Sequence, residues 1–438
     1  MSGSKKSIRI GIVRLSSFGD VVVSASLLMD FYHALQQHYD EVCIEWFVDT
    51  RFAGLLEHHY AITTLHALPI KRLKSLRAIK ELWCFLRALG GFDIVLDLQG
   101  LIKSALVGCA LDSRRFVGFS FDSARERVAS VFYSERVKIA YDSNILARNV
   151  AIYQQALRGS AFGLESGTSS PRCVNRLQVL LSLCGLKNSN SSLKILESQN
   201  SFDRQPQFLE STFETCEQKS QRADFGKNAA RSLQQDTSLQ LVCKKPMSKA
   251  QSGFGWDTKQ ALFLLDSSTQ QVVLDSSAYR VLFVLEASIP QKTYPIGQYA
   301  KLALLMQQAS KQAITFCLIY HEHKDQALCL RAMLEASGLG VCVFPPLDFN
   351  ALKYILSQMH CVIGGDTGLT HLAWALKSAQ VITLLGNLQT SRGKNMRDTK
   401  LSRVLLGNPY VLSQSGSFEI ASIPPESICR TWLDSRAM

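Results

Sequence analysis

The amino-acid sequence predicts an α/β protein with two Rossmann-like domains that face each other across a cleft. Short apolar runs alternate with amphipathic segments toward both ends of the 438-residue chain. In each half, a polar loop that contains glycine separates an apolar run from the helical segment after it. This alternation is typical of parallel, doubly wound sheets, which bind ligands beyond the carboxyl ends of their strands.

The first half extends to about residue 157 and contains five predicted strands, the last of them weak. These strands cover residues 8–15, 42–48, 62–67, 94–98 and 115–118. The amphipathic stretches between them predict helices, notably at residues 21–38 and 76–89. The order of strands and helices therefore predicts one Rossmann-like unit in this half.

The second half repeats this alternation from residue 280 onward. The predicted strands are 280–285, 315–320, 340–343, 361–364 and 380–385. The predicted helices are 296–309, 325–336, 347–358 and 369–376. A second Rossmann-like unit is expected here, and a cleft between the two units would collect the carboxyl ends of both sets of strands.

The middle of the chain differs in composition from both halves. Residues 186–277 are rich in Gln, Ser, Lys and Asp and hold few sustained apolar runs. This composition predicts a low-complexity insertion or linker. The expected domains are therefore residues 1–185 and 278–438, with the insertion at 186–277 between them.

The composition narrows the class of protein. A hydrophobic content of 47% with 19% charged residues is that of a globular chain. No apolar run approaches the roughly 20 residues that a membrane-spanning helix needs, which predicts a cytoplasmic protein. The twelve cysteines form no CxxC pair or zinc-like cluster, so reduced thiols and no metal centre are expected. The net charge of +12 indicates an anionic partner, unless it serves solubility alone.

The first candidate site is the loop from Ser16 to Asp20, between the first strand and the first helix. Helix starts attract anions because their N–H groups have no partner within the helix. Asp20 is either a carboxylate that faces the cleft or an ordinary first-turn residue favoured by the helix dipole. Its position alone leaves both readings open. The loop lacks GxGxxG, which argues against a dinucleotide fingerprint.

The second candidate site is the run GGDTGLTHL at residues 364–372, between an apolar strand and a helix. Its glycines let the backbone approach a pyrophosphate closely, and the helix start supplies N–H donors. Thr367 and Thr370 add hydroxyl groups. His371 lies one turn into the helix, where it is either a phosphate contact or a packing residue.

The first half also carries a dense basic segment from Lys71 to Arg77, and Lys103, Arg125 and Arg127 add to its charge. Runs of charge are usually solvated helix faces. The segment is interleaved with leucine and isoleucine and is followed by Trp83, which also suits an anionic membrane surface.

Four segments of the chain resemble the lipopolysaccharide heptosyltransferase family. They are 14–20 (RLSSFGD), 97–105 (DLQGLIKSA), 124–133 (ARERVASVFY) and 365–376 (GDTGLTHLAWAL). The second and third segments look most like heptosyltransferase I. The resemblance covers roughly residues 1–157 and 280–435 and leaves out the insertion.

The resemblance implies a glycosyltransferase B fold, in which the first domain binds the acceptor and the second binds the donor. It also implies the reaction: L-glycero-D-manno-heptose passes from ADP-heptose to a Kdo residue of lipid A, with inversion at the anomeric carbon. Asp20 is then the general base that takes the proton of the acceptor hydroxyl. No cofactor or metal ion is expected.

The resemblance also assigns binding residues one by one. The donor contacts are Lys292, Glu322, Asp366, Thr367, Gly368, Leu369 and His371. Around Lys292 the chain departs from the family pattern, with Gln291 in place of Asp and Tyr294 in place of Trp. The expected acceptor contacts are Ser17, Gly19, Lys71, Arg72, Lys74, Gln99, Lys103 and Arg125.

Other functions remain open at this stage. Within the family, heptosyltransferase II or a later core heptosyltransferase is the alternative. A nucleotide-dependent oxidoreductase is disfavoured by the missing GxGxxG. A non-catalytic binder of polyanions or membranes would explain the charge, but no nucleic-acid-binding motif appears, so nucleic acid is not an expected partner. We expect a peripheral protein at the cytoplasmic face of the inner membrane.

Overall fold

The computed structural model contains two mainly parallel sheets flanked by helices, which confirms the predicted α/β class. It describes residues 6–141, 143, 145–160, 241–242, 248–249, 253–287, 290–377, 379–385, 411–413 and 420–436. Much of the predicted insertion therefore lies outside the described residues.

The first sheet is built from strands β1 (Ser7–Val13), β2 (Glu41–Asp49), β3 (Thr64–Leu68), β4 (Phe92–Asp97), β5 (Ser113–Phe119), β6 (Glu135–Val137) and β7 (Leu241–Val242). Their order across the sheet is β6-β5-β4-β1-β2-β3-β7. Neighbours run parallel, except that β7 is antiparallel to β3. Strand β1 lies at the centre, and its apolar side chains are buried because helices cover the sheet.

Helices α1 (Phe18–Ala25), α2 (Leu28–Gln36), α3 (Ala53–Leu56), α4 (Leu76–Ala88), α5 (Ile102–Ala110) and α6 (Ile145–Ser160) accompany this sheet. The single helix predicted at residues 21–38 is in fact the pair α1 and α2. The break follows Ser26, whose hydroxyl donates to Val23 O at 2.9 Å and so competes with the helical backbone. Strands β6 and β7 and helices α3, α5 and α6 were not predicted.

Within the described part of the chain, the stretch Phe18–Gln36 has the length and apolar composition to cross a membrane, although no such run was recognised in the sequence. More than half of it is buried inside the protein. Helix α6 covers it: Asn149 Nδ2 donates to Ser24 Oγ at 2.9 Å, and the Tyr153 hydroxyl donates to Ser24 O at 3.2 Å. Helices α1 and α2 are therefore core helices, and α1 is fixed in place.

The end of the predicted insertion forms a short structured segment at residues 253–275, here called the bridge. It contains β9 (Gly255–Trp256), which pairs with β8 (Ser248–Lys249), and helices α7 (Thr258–Phe263) and α8 (Ser267–Leu274). Gly253 O accepts a hydrogen bond from Tyr60 N at 2.8 Å. Asp257 N and O bind the Asn350 side chain at 2.8 and 2.9 Å. The bridge therefore contacts both halves of the chain.

The second sheet is built from β10 (Tyr279–Val284), β11 (Ile314–Ile319), β12 (Gly340–Val343), β13 (Cys361–Gly365), β14 (Gln380–Leu385) and β15 (Val411–Ser413). These strands are all parallel, in the order β12-β11-β10-β13-β14-β15. Its helices are α9 (Ile296–Ala309), α10 (Lys324–Ala336), α11 (Phe349–Ser357), α12 (Gly368–Leu376) and α13 (Pro425–Arg436). Every predicted element of this half is present, with ends within about two residues of the prediction, whereas β15 and α13 were not predicted.

The two halves of the chain contact each other at the starts of two helices that follow strands. Strand β1 leads into α1 and strand β13 leads into α12, and these two helices pack against each other. The largest hydrophobic cluster includes Val21 of α1 and Leu372 of α12, so the apolar core continues from one half to the other. Loops from the carboxyl edges of both sheets are brought together at this junction.

Candidate active site

The candidate site lies where α1 and α12 begin. Glycines allow these two helix starts to approach each other closely. A Cβ atom on Gly19 would lie 2.7 Å from His371 Cδ2, and one on Gly368 would lie 2.4 Å from the Phe18 ring. A side chain at either glycine would force its neighbour to move. Phe18 also packs edge-on against Phe349, with ring centroids 5.3 Å apart. The sequence therefore needs glycine at both helix starts for this contact to form.

Asp20 lies in the first turn of α1, with 34% of its side chain exposed. Arg14 Nη2 lies 2.9 Å from Asp20 Oδ2. Ser17 Oγ donates to the same oxygen at 3.1 Å, and Ser17 N donates to it at 3.5 Å. The Ser17 contacts are those of an ordinary capping carboxylate, and the reading of Asp20 as a carboxylate that faces the cleft stays a prediction. The buried Arg14 also donates to Leu98 O, which fixes its guanidinium beside Asp20.

The electrostatic surroundings keep Asp20 ionised. Burial alone would raise the pKa of its carboxyl group, but the Arg14 charge, the Ser17 hydrogen bonds and His371 together outweigh that effect. The net result is a pKa below the ordinary aspartate value. Asp20 is therefore a carboxylate at neutral pH. Because His371 belongs to α12, part of this effect comes from the other half of the chain.

A second carboxyl group organises the loop after β4. Asp97 is fully buried and accepts hydrogen bonds from Gln99 N, Gly100 N, Ser104 Oγ and the Tyr133 hydroxyl, at 2.8 to 3.1 Å. Burial raises the pKa of Asp97 although these hydrogen bonds oppose the increase. Asp97 thus links two of the segments that carry the family resemblance.

Gln99 connects this loop to the one that holds Asp20. Its side-chain oxygen accepts from Leu15 N at 2.9 Å, and its amide nitrogen donates to Ser16 Oγ at 3.2 Å. Both polar atoms of the Gln99 side chain thus form hydrogen bonds with the loop between β1 and α1. Gln99 was predicted to contact the acceptor, and the structure places its side chain against the Leu15–Ser16 end of the loop that holds Asp20.

In the second half, the Asp366 carboxylate lies between the Lys292 ammonium group and the His371 ring. Lys292 Nζ is 2.8 Å from Oδ2 and 3.3 Å from the backbone oxygen of Asp366. His371 Nε2 is 3.1 Å from Oδ1. Both oxygens are thus engaged, and only 7% of the Asp366 side chain is exposed. The carboxylate holds Lys292 and His371 at the start of α12.

The backbone around Asp366 is equally specific. A Cβ atom on Gly365 would lie 2.1 Å from Lys292 O, so this glycine lets the Lys292 loop approach β13. Thr367 caps α12 by accepting from Thr370 N, and Thr370 Oγ1 accepts from Thr367 N at 3.1 Å. This reciprocal cap leaves the helix start well defined.

Glu322 lies in the exposed turn between β11 and α10. Its backbone is held by Glu286, which follows the neighbouring strand β10. The Glu286 carboxylate accepts from the backbone N–H groups of His321, Glu322 and His323, at 2.7 to 3.2 Å. Burial would raise the pKa of Glu286, but these hydrogen bonds and His323 lower it overall. Glu286 therefore fixes the turn that carries Glu322.

The predicted basic acceptor residues all lie in loops or first turns that follow strands of the first sheet. Lys71, Arg72 and Lys74 follow β3, Lys103 opens α5 after β4, and Arg125 follows β5; all five are exposed. Parallel strands end at one edge, so these cations share the edge at which Asp20 lies. Among the described residues, no cluster of three or more His, Cys, Asp or Glu side chains is arranged to hold a metal ion.

Three residues of this site were not predicted. Arg14 had a sequence signal, since it is a basic residue at the end of an apolar strand, six positions before Asp20. Asp97 had one as well, because it ends a buried strand. Glu286 had none, because the backbone groups that it binds lie about 35 residues further along the chain.

Comparison with known proteins agrees with this architecture. The chain is 36% identical over 145 residues to lipopolysaccharide heptosyltransferase 1 of Campylobacter coli, a match that covers 33% of this chain and 40% of that one. It is 30% identical over 156 residues to the protein of the same name from Escherichia coli K12, covering 34% and 48%. The chain thus spans less than half the length of the curated relatives that it matches.

Solved structures extend the likeness to the whole fold. Escherichia coli heptosyltransferase WaaC with ADP matches with a TM-score of 0.58 at 19% identity, over 98% of this chain and 99% of that one. Escherichia coli ADP-heptose LPS heptosyltransferase II matches with a TM-score of 0.56 at 15% identity, over 98% of both. These matches confirm the predicted glycosyltransferase B fold.

The family itself is identified from the sequence. The model of glycosyltransferase family 9 (heptosyltransferase) matches residues 82–178 and 207–403. The matched residues make up more than half of the chain and include Asp97, Lys292 and Asp366, whose side chains organise the site. The chain therefore belongs to glycosyltransferase family 9, the heptosyltransferase family.

Proposed function

We propose that this chain transfers L-glycero-D-manno-heptose from ADP-heptose to a Kdo residue of lipid A. The observation that carries the proposal is the junction of α1 and α12, which brings Asp20 toward the cluster of Asp366, Lys292 and His371. The curated relatives are named as heptosyltransferases, and one similar structure contains ADP. In this proposal, residues 1–185 bind the acceptor, residues 278–438 bind the donor, and residues 186–277 are an insertion whose last part forms the bridge.

Asp20 is the proposed general base. As the acceptor oxygen bonds to the anomeric carbon from the face opposite the leaving group, its proton passes to the Asp20 carboxylate. The bond between that carbon and the diphosphate oxygen breaks, and ADP leaves with the electron pair. Arg14 and Ser17 support this role because they hold the carboxylate ionised and fixed in direction. Ser17 and Gly19 are the proposed neighbours of the acceptor at this point.

The donor diphosphate is assigned to the start of α12. Negative charge grows on ADP as it departs, and a cation and helix N–H groups stabilise it there. Lys292 and His371 supply the side chains, and Asp366 positions both of them. The further proposed donor contacts are Thr367, Gly368 and Leu369 at the helix start and Glu322 for the ribose.

The anionic acceptor is assigned to the exposed cations at the carboxyl edge of the first sheet. These are Lys71, Arg72, Lys74, Lys103 and Arg125, with the Gln99 loop beside them. On α4, Leu76 and Ile79 are 87% and 48% exposed directly after the basic turn. Apolar side chains next to exposed cations suit an anionic membrane surface. The proposed place of action is therefore the cytoplasmic face of the inner membrane, with the protein bound peripherally.

We assign this chain the acceptor of heptosyltransferase I, and not that of heptosyltransferase II, for two reasons. The segments 97–105 and 124–133 resemble the first enzyme, and the curated relatives carry its name. In the structure these segments meet at Asp97, next to the Asp20 loop. They are thus close enough to the proposed acceptor site to influence which acceptor it takes.

The proposal is tested by incubating the purified chain with ADP-heptose and Kdo-lipid A and measuring the mass of the lipid. We expect a gain of one heptose on this acceptor and none on an acceptor that already carries the first heptose. The opposite preference would assign the chain to a later step of core assembly. Release of ADP without a change in lipid mass would contradict the transferase proposal.

The Asp20→Asn variant tests the general base in the same assay. It keeps the shape of the side chain but removes the basic carboxylate, so turnover should fall roughly 10²- to 10⁴-fold. Asp30→Asn is the matched control, because Asp30 is exposed on α2 and its loss changes the net charge equally. Near-normal turnover by Asp20→Asn would remove Asp20 from the mechanism.

The ion pair with Arg14 predicts a change in pH dependence. A base must be ionised, so kcat/KM falls as the pH drops through the pKa of Asp20. In the wild type Arg14 helps to hold that pKa low. Arg14→Met removes the charge, so the acidic limb should move to higher pH, whereas Arg14→Lys should move it less. An acidic limb that stays in place in Arg14→Met would show that another group controls it.

The Asp366 carboxylate is predicted to support nucleotide binding although it carries the same sign of charge as a phosphate. Hydrogen bonds to charged groups contribute about 1.5–3 kcal/mol, so Asp366→Asn should weaken ADP binding roughly 10- to 100-fold. Calorimetric titration with ADP measures this, with the exposed Asp434→Asn as the control. Tighter ADP binding by Asp366→Asn would mean that Asp366 repels the nucleotide instead of positioning its partners.

A further inference from the structure

Lys353 is a fully buried lysine that joins the two halves of the chain. It lies on α11, yet its Nζ donates to Glu57 O at 2.6 Å and to Leu55 O at 3.4 Å, at the end of α3 in the first half. Its hydrogen-bond partners here are backbone carbonyl groups, whereas a buried ammonium usually pairs with a carboxylate. A methionine of similar length would fill the same space without burying a charge, so packing alone does not explain a lysine here.

Helix α11 holds the same junction that forms the candidate site. Phe349, in its first turn, packs against the Phe18 ring, and a Cβ atom on Gly54 would lie 3.1 Å from the Phe349 ring. Asn350 binds the bridge through Asp257. One helix thus contacts α1, α3 and the bridge at once. Through Phe349, α11 therefore links α3 to the Phe18 ring at the start of α1.

The surroundings of Lys353 favour the neutral amine. Burial lowers its pKa to about 7, although Glu57 and Asp348 act in the opposite direction. The Asp348 and Asp257 carboxylates accept hydrogen bonds from the starts of α11 and α7. Among the described residues, the titratable groups on α11 and the elements around it are Tyr354, Asp348, His360, Glu57, His58, His59, Asp257, Lys259, Arg280, His371 and Lys377.

We propose that Lys353 is a positioning residue whose protonation controls how firmly the two halves are held together at the site. The neutral amine donates to the carbonyl groups of α3 and keeps α11 against the first half. Protonation places a charge in that buried contact and loosens it. The consequence for catalysis rests on the proposed function, because the contact sets how Asp20 approaches α12.

The direction of the pH effect follows from proton binding. When the contact opens, water reaches the amine, which then binds a proton with the ordinary lysine pKa. Above about pH 7 the open state therefore binds more protons than the closed state, and rising pH favours closure. Below about pH 7 both states are protonated and the dependence disappears. The equilibrium constant for closing the contact should thus rise by up to about tenfold per pH unit above pH 7.

Hydrogen exchange between pH 6 and 9 measures this opening directly. The readout is the protection of amides in residues 53–60, corrected for the intrinsic rate at each pH, including Glu57 N, which bonds to Ala53 O. Protection in the wild-type chain should be constant below about pH 7 and increase above it. Lys353→Met should give protection that no longer depends on pH, and Lys353→Leu should agree with it.

Lys301→Met is the matched control, since Lys301 is exposed on α9 and the substitution changes the charge equally. It should behave as the wild type. Protection without pH dependence in the wild type, or a pH dependence that survives in Lys353→Met, would overturn the proposal. Thermal melting of each variant at pH 8 shows that it folds. The exchange measurement needs no substrate, so its failure is distinct from a failure to transfer heptose.

Discussion

The close packing of two helix starts is the constraint on which the rest of the site depends. Phe18 occupies the space that a side chain on Gly368 would need, and His371 occupies the space beside Gly19. Each half thus contributes one glycine and one ring to the contact. This contact places His371, which binds Asp366, beside the turn that carries Asp20. Gly19 and Gly368 are therefore steric requirements of the junction.

The charges of the site are arranged in pairs that fix each functional group. Asp20 is oriented by Arg14 and Ser17, and Asp366 holds Lys292 and His371. Isolated charges in such partly buried positions would shift toward their neutral forms. Pairing keeps the Asp20 carboxylate ionised on one side and Lys292 held in place on the other. The arrangement suits a reaction in which a proton is taken up at one end and negative charge leaves at the other.

Much of the fold could be predicted because the two halves follow a regular alternation of buried strands and amphipathic helices. The prediction was wrong where local chemistry overrode that pattern, as at Ser26, whose hydroxyl helps to divide one expected helix into two. The loops with Asp20 and Asp366 were recognisable from glycine and polar residues after apolar strands. The pairing of Glu286 with a distant turn, and of Lys353 with α3, arises only when separate elements are packed together. Such contacts leave no local pattern in the chain.

One junction holds both Asp20, the proposed base, and the proposed donor cluster of Asp366, Lys292 and His371. A crystal structure of this chain with ADP-2-deoxy-2-fluoro heptose tests it most directly. We expect the diphosphate to lie within hydrogen-bond distance of Lys292 Nζ and the first N–H groups of α12, with the anomeric carbon facing Asp20. A diphosphate bound away from α12, with the contacts between Asp366 and Lys292 unchanged and Asp20 remote from the sugar, would contradict it.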